Sequence, residues 1–195
     1  MITEIRILSR FAVQDIIKTK GSKFPYKEQR WNLISINDDP DDLIVNESSA
    51  PILKNLGCID TLSLCFADIT AKHYEKILFN ENHAKAIVEF IKQIQDERDE
   101  SVLIAHCHAG ISRSGAVGTF VCDYARLDYQ GFIDLNPYIM SNPHVLSLLR
   151  RGADMTPSFG IHDGVDWAKE GDLLLPPWFK NTKLDVKSSG DAANE

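Results

Sequence analysis

The sequence predicts a single α/β domain in which a central, mostly parallel sheet of about four to five strands is flanked by helices. Three observations predict it. Short apolar runs of strand length alternate along the chain with segments of helical period. One of these runs, Val102 to Ala105, is unbroken, as in a strand covered on both faces. It passes directly into a small-residue loop containing Ala109 and Gly110 and then into a helical pattern, the strand–loop–helix succession typical of parallel sheets.

The elements follow in order. Glu4 to Leu8 alternates as a first strand, and Phe11, Val13, Ile16 and Ile17 mark a short helical connection. Trp31 to Ile36 reads as a second strand, closed by Asn37-Asp38-Asp39-Pro40-Asp41-Asp42, a turn whose carboxylates are expected to be solvated. Residues 43 to 57 show no clear period. In Ile59 to Phe66 the apolar set Leu62, Leu64 and Phe66 alternates with Thr61, Ser63 and Cys65, which predicts a third strand. Ala84, Ile87, Val88, Ile91 and Ile94 then fit one face of an amphipathic helix leading into the strand at Val102. From Arg113 onward Ala116, Val117, Phe120, Val121 and Tyr124 recur at helical period; Asp128 to Asn136 reads as a connection, and a last helix carries Val145, Leu148 and Leu149.

The chemistry concentrates between Cys107 and Ser114. Backbone N–H groups at a helix N-terminus are unpaired and sit at the positive end of the helix dipole, so they form an anion site. The five residues His108, Ala109, Gly110, Ile111 and Ser112 can wrap their amides around a phosphate-sized group. Arg113 adds a planar, permanently charged fork for two oxygens. A thiol in such surroundings is shifted toward its thiolate, which makes Cys107 a candidate nucleophile against a bound phosphate. Ordinary alternatives stand beside each role: a buried small residue for Cys107, a core histidine for His106, and a helix cap for Ser114.

His106-Cys107-x5-Arg113-Ser114 resembles the signature of the cysteine-dependent protein tyrosine phosphatases. The fuller His-Cys-His-Ala-Gly-Ile-Ser-Arg-Ser-Gly is most similar to their dual-specificity branch. The resemblance covers roughly residues 30 to 150. It implies a phosphocysteine on Cys107, oxygen binding by Arg113 and the loop residues 108 to 112, a Ser114 hydroxyl that steadies the departing thiolate, and a supporting His106. It also implies an aspartate as general acid, for which Asp68 is the candidate because it follows a strand on the edge where the Cys107 loop emerges. Asp68 precedes Cys107 by 39 residues, longer than the family spacing, which suggests an insertion around Tyr74 to Asn82. Asp60 is the runner-up. Asn142, in an Asn-Pro pair ahead of the last helix, matches the family's loop-bracing asparagine; helix cap or turn is its ordinary reading. No metal or organic cofactor is implied. The substrate expected is a phosphorylated protein, phosphotyrosine first with phosphoserine or phosphothreonine beside it as in a dual-specificity enzyme, or a small phosphomonoester. Lysine is absent from 108 to 112, so the loop is unlike the basic loop of inositol-lipid phosphatases. Two other readings stay open: a phosphate- or phosphopeptide-binding pseudophosphatase without turnover, and a rhodanese-like sulfurtransferase, whose loop is one residue shorter.

Composition sets the remaining bounds. The chain has 195 residues, 44% of them hydrophobic, enough for one domain with a sizeable core. Its formal net charge of −7 argues against nucleic-acid binding, so an anionic substrate has to be drawn in locally. No apolar run is long enough to span a membrane, and Met-Ile-Thr-Glu-Ile-Arg lacks the layout of a signal peptide, which predicts a cytoplasmic protein. Reduced thiols are then expected at Cys58, Cys65, Cys107 and Cys122. No spacing suits a metal site, and nothing in the sequence speaks to oligomeric state. The expected division is a catalytic domain over 1–152, an irregular extension over 153–186 packed by Trp167, Trp178 and Phe179, and a disordered tail over 187–195.

Overall fold

The computed structural model describes residues 1–41, 43–71 and 76–155. All of these lie in the first of two contact units, Met1–Pro157. The expected extension over 153–186, from residue 156 onward, and the expected tail over 187–195 lie outside the described residues, as do 72–75, which include the start of the insertion expected around Tyr74 to Asn82.

Four strands, β1 (Ile2–Ser9), β2 (Trp31–Asn37), β3 (Cys58–Cys65) and β4 (Ser101–Cys107), form one sheet in the order β1-β4-β2-β3. Every neighbouring pair is parallel. The helices are α1 (Arg10–Lys18), α2 (Ala50–Asn55), α3 (Glu81–Asp96), α4 (Arg113–Ala125), α5 (Tyr129–Leu135) and α6 (Pro143–Gly152). The α/β class with a parallel sheet is as expected, with the strand number at the lower bound.

Both inner strands are buried along their whole length, and the period of two explains why their sequences do not alternate. Leu103, Ala105 and Cys107 enter a core cluster with Ile34 and Ile36 of β2, Ile87 and Ile91 of α3, Phe120 of α4 and Val145 of α6. Val102 and Ile104 point the other way, into a smaller cluster with Trp31, Leu33, Phe24, Leu53 and Leu56. An apolar residue is therefore needed at every position from 102 to 105.

Two helices occupy stretches read as irregular. In α2 only Leu53 is buried and Pro51 sits in the first turn, so six residues give no visible period. The expected connection at 128–136 is instead α5, whose N-terminus is capped by the Asp128 side chain accepting from the Gln130 N–H at 3.1 Å. Its one buried residue, Phe132, is too little signal for a periodic reading.

A wholly parallel sheet brings all its carboxyl ends to one edge. Here Ser9, Asn37, Cys65 and Cys107 end their strands together, so the residues that follow them, Arg10, Asp38, Asp68 and the 108–112 loop, share that edge.

Candidate active site

The loop from His108 to Ser112 turns its carbonyls outward. Arg10 N–H donates to His108 O, Met140 N–H to Ile111 O and Asn142 N–H to Ser112 O, each at 3.1 Å. Among the described residues no backbone N–H from His108 to Ser112 donates to a protein acceptor. The loop amides are thus left available at the N-terminus of α4, a buried 13-residue helix, an arrangement able to take an anion.

Gly110 makes the turn possible. Its φ is +73°, and a Cβ there would lie 2.7 Å from the carbonyl carbon and oxygen of Leu8 and from the Ser9 nitrogen. Gly110→Ala is expected to cost roughly 1–3 kcal/mol through left-handed strain and backbone contact. Calorimetry should find the thermal midpoint lower by about 5 °C, and an unchanged midpoint would contradict this reading of the turn.

Cys107 is buried at the end of β4, with its Sγ 3.1 Å from the Ser114 Oγ. Ser114 is therefore not the cap of α4; that position is Ser112, whose side chain makes no capping bond. Arg113, the first residue of α4, is only 3% exposed. Its Nη1 donates to Asp38 Oδ1 at 2.8 Å and to the Phe66 carbonyl at 2.7 Å. Asp38 belongs to the turn read as solvated; its side chain is exposed, as expected, and its Oδ1 also meets the loop arginine, because β2 ends beside β4.

Asp68 also reaches the loop. Its Oδ1 accepts from Ser112 Oγ at 2.8 Å and from Asn142 Nδ2 at 2.8 Å. The Asn142 Oδ1 caps α6 by accepting from the His144 and Val145 N–H groups, and its own backbone N–H donates to Ser112 O. Asp60, by contrast, sits within β3 and accepts from Thr61 N–H, away from the carboxyl edge.

His106 is fully buried and its Nε2 lies 2.8 Å from Ser35 Oγ on β2. Burial, helped by the nearby Arg10 and Arg113 charges, pushes its imidazole down to about 4. The unfolded chain then takes up a proton near pH 6.5 that the folded chain refuses until about 4, so stability falls as pH falls through this window. The loss is expected to reach on the order of 3 kcal/mol. Denaturant titrations should show a flatter pH dependence for His106→Asn; equal slopes would remove His106 as the cause.

Burial pushes the Cys58 thiol up to about 11 and Cys122 up to about 12, and raises Cys65 as well, which disfavours the thiolate at each of the three. All four cysteines are free. Around the loop, Phe11 is 67% exposed, with its ring edge-on to His108 at 5.9 Å. Met140, bonded through its N–H to Ile111, is exposed too.

Solved structures similar to this chain carry phosphatase names. One is the human tyrosine phosphatase-like serine/threonine/tyrosine-interacting protein, 15% identical, with 77% of this chain and 91% of that chain covered and a TM-score of 0.47. Another is the PTP-2 phosphatase of Cydia pomonella, 18% identical over 76% of this chain and 84% of that one, TM-score 0.47. A third is human DUSP28, 16% identical over 77% and 91%, TM-score 0.46. No family model and no curated protein matches the sequence.

Among the described residues no cluster of three or more His, Cys, Asp or Glu is placed to hold a metal ion, and no helix is long and apolar enough to cross a membrane. Sequence reasoning does not find Asp38, Ser35 or the Phe66 carbonyl. The first of these has a signal, since the Asp38 turn follows a strand of the same parallel sheet, but the sequence alone does not say which strands are neighbours.

Proposed function

We propose that the chain is a phosphomonoester hydrolase of the protein tyrosine phosphatase type, working through a phosphocysteine on Cys107. The observation that carries this reading is the loop itself: a buried thiol at one end, a buried guanidinium at the other, and unpaired amides between. Substrate phosphate sits in the amide cradle with two oxygens on Arg113. The Cys107 sulfur attacks phosphorus in line, the bond to the ester oxygen breaks, and that oxygen takes a proton from Asp68. Both hydrogen bonds to Asp68 fall on Oδ1, so Oδ2 is the oxygen that delivers it. In the second step Asp68 takes a proton from water, the water oxygen forms its bond to phosphorus, and the sulfur–phosphorus bond breaks. The departing thiolate accepts a hydrogen bond from Ser114 Oγ, 3.1 Å away. His106 ties β4 to β2 behind the nucleophile, and Asn142 holds Ser112 and Asp68 in register.

Phosphotyrosine is the preferred substrate in this reading. The exposed Phe11 and Met140 beside the loop offer apolar surface to an aromatic leaving group. Release of p-nitrophenol from p-nitrophenyl phosphate in EDTA, followed by a comparison of phosphotyrosine, phosphoserine and phosphothreonine peptides, tests it. Phosphopeptide binding without turnover would replace the enzyme by a binding module, and sulfur transfer from thiosulfate to cyanide would replace it by a sulfurtransferase.

A further inference from the structure

The Arg113 side chain is held in an uneven way. A guanidinium carries five N–H donors in a plane, and here the hydrogen bonds to Asp38 Oδ1 and to the Phe66 carbonyl both leave from the same nitrogen, Nη1. The Nε, which is buried, has no partner among the described residues. A buried donor without an acceptor is destabilising, so its presence in a folded protein asks for a ligand that completes it. Nε and the adjacent Nη2 form the side-on fork that matches two oxygens of a phosphate.

We infer that Asp38 is the positioning residue for Arg113, gripping Nη1 from the far side so that the Nε–Nη2 edge is presented to a bound oxyanion. This rests on the phosphate-site reading above and deepens it. Two features of Asp38 suit the task. Its carboxylate supplies the counter-charge that a nearly fully buried guanidinium needs, while remaining 48% exposed itself, so the pair avoids the full desolvation of two ions. Its other oxygen, Oδ2, lies 3.7 Å from His108 Nδ1, which links the same carboxylate to the opposite end of the loop. Asp38 is fixed by the end of β2 and the loop by the end of β4, so the rigid β2–β4 pairing sets the angle of the fork.

The test is calorimetric titration of inorganic phosphate into wild type, Asp38→Ala and Asp38→Asn, alongside kcat and KM for p-nitrophenyl phosphate. Asp38→Ala is expected to weaken phosphate binding by about tenfold or more, the scale of one charge-assisted hydrogen bond, and to lower kcat/KM by at least as much. Asp38→Asn keeps an oxygen that accepts from Nη1 and is expected to recover part of both, which a general loss of fold would not produce. Unchanged or tighter phosphate binding by Asp38→Ala overturns the inference; tighter binding would mean that the carboxylate competes with phosphate for Arg113. Absence of phosphate binding by the wild type overturns it too. If the wild type binds phosphate, Asp38→Ala weakens that binding, and no variant turns over substrate, the positioning stands and the hydrolase reading falls. Turnover by wild type with no effect of Asp38→Ala has the reverse meaning.

Discussion

Cys107→Ser is expected to abolish hydrolysis of p-nitrophenyl phosphate, by on the order of 10⁴-fold or more, as loss of a covalent nucleophile does. A hydroxyl in the same place is almost the same size as the thiol, so the core around Ala105, Phe120 and Val145 should accept it with little change in thermal midpoint. What changes is nucleophilicity, because a serine hydroxyl is a far weaker nucleophile than a cysteine sulfur. Phosphate affinity should survive in the serine variant, because the loop amides and Arg113 are untouched. Stopped turnover with retained phosphate binding is therefore the expected pair of results. Residual turnover near the wild-type rate would mean that sulfur is not the attacking atom; loss of both binding and turnover, with a lowered midpoint, would mean that Cys107 is a packing residue.

Much of this site is legible in the sequence because its central part is contiguous. Strand, loop and helix occupy one run of residues, and the special backbone at Gly110 is demanded by a turn that lies between two periodic segments. Asp68 is legible for a topological reason: a residue just beyond a parallel strand has to emerge on the shared carboxyl edge. The same rule applied to β2 draws Asp38 toward the loop, yet a run of carboxylates after a turn is ordinarily solvated, and the Arg113–Asp38 contact spans 75 residues of chain. Strand order decides it, since β2 lies directly beside β4, and strand order is a property of packing rather than of local pattern. The short helices α2 and α5 escape for a different reason. Each buries a single residue, so neither leaves a period to be seen.

Asp68→Asn separates chemistry from bracing, because the asparagine side chain keeps an oxygen able to accept from Ser112 Oγ and Asn142 Nδ2. The brace survives while the proton is lost. A general acid contributes about 10²–10⁴-fold, and its contribution grows as the leaving group becomes more basic. Phosphotyrosine peptide should therefore lose about 10²-fold or more in kcat, while p-nitrophenyl phosphate, whose phenolate leaves more easily, should lose less. The pH profile carries the sharper discrimination. The acid has to be protonated in the first step, so wild-type kcat/KM should fall on the alkaline side, and in Asp68→Asn that limb should disappear. A variant that keeps the alkaline limb and slows both substrates equally would reduce Asp68 to a brace between Ser112 and Asn142, and the proton would have to come from elsewhere on the carboxyl edge. Asp38 is another carboxylate there, but its Oδ1 accepts from Arg113 Nη1 at 2.8 Å and its Oδ2 lies 3.7 Å from His108 Nδ1. Both of its oxygens are engaged with the loop, whereas Asp68 leaves Oδ2 outside its two hydrogen bonds. Asp68 and Asp38, chemically identical, are therefore expected to divide the work between proton transfer at Asp68 and orientation of the phosphate fork at Asp38.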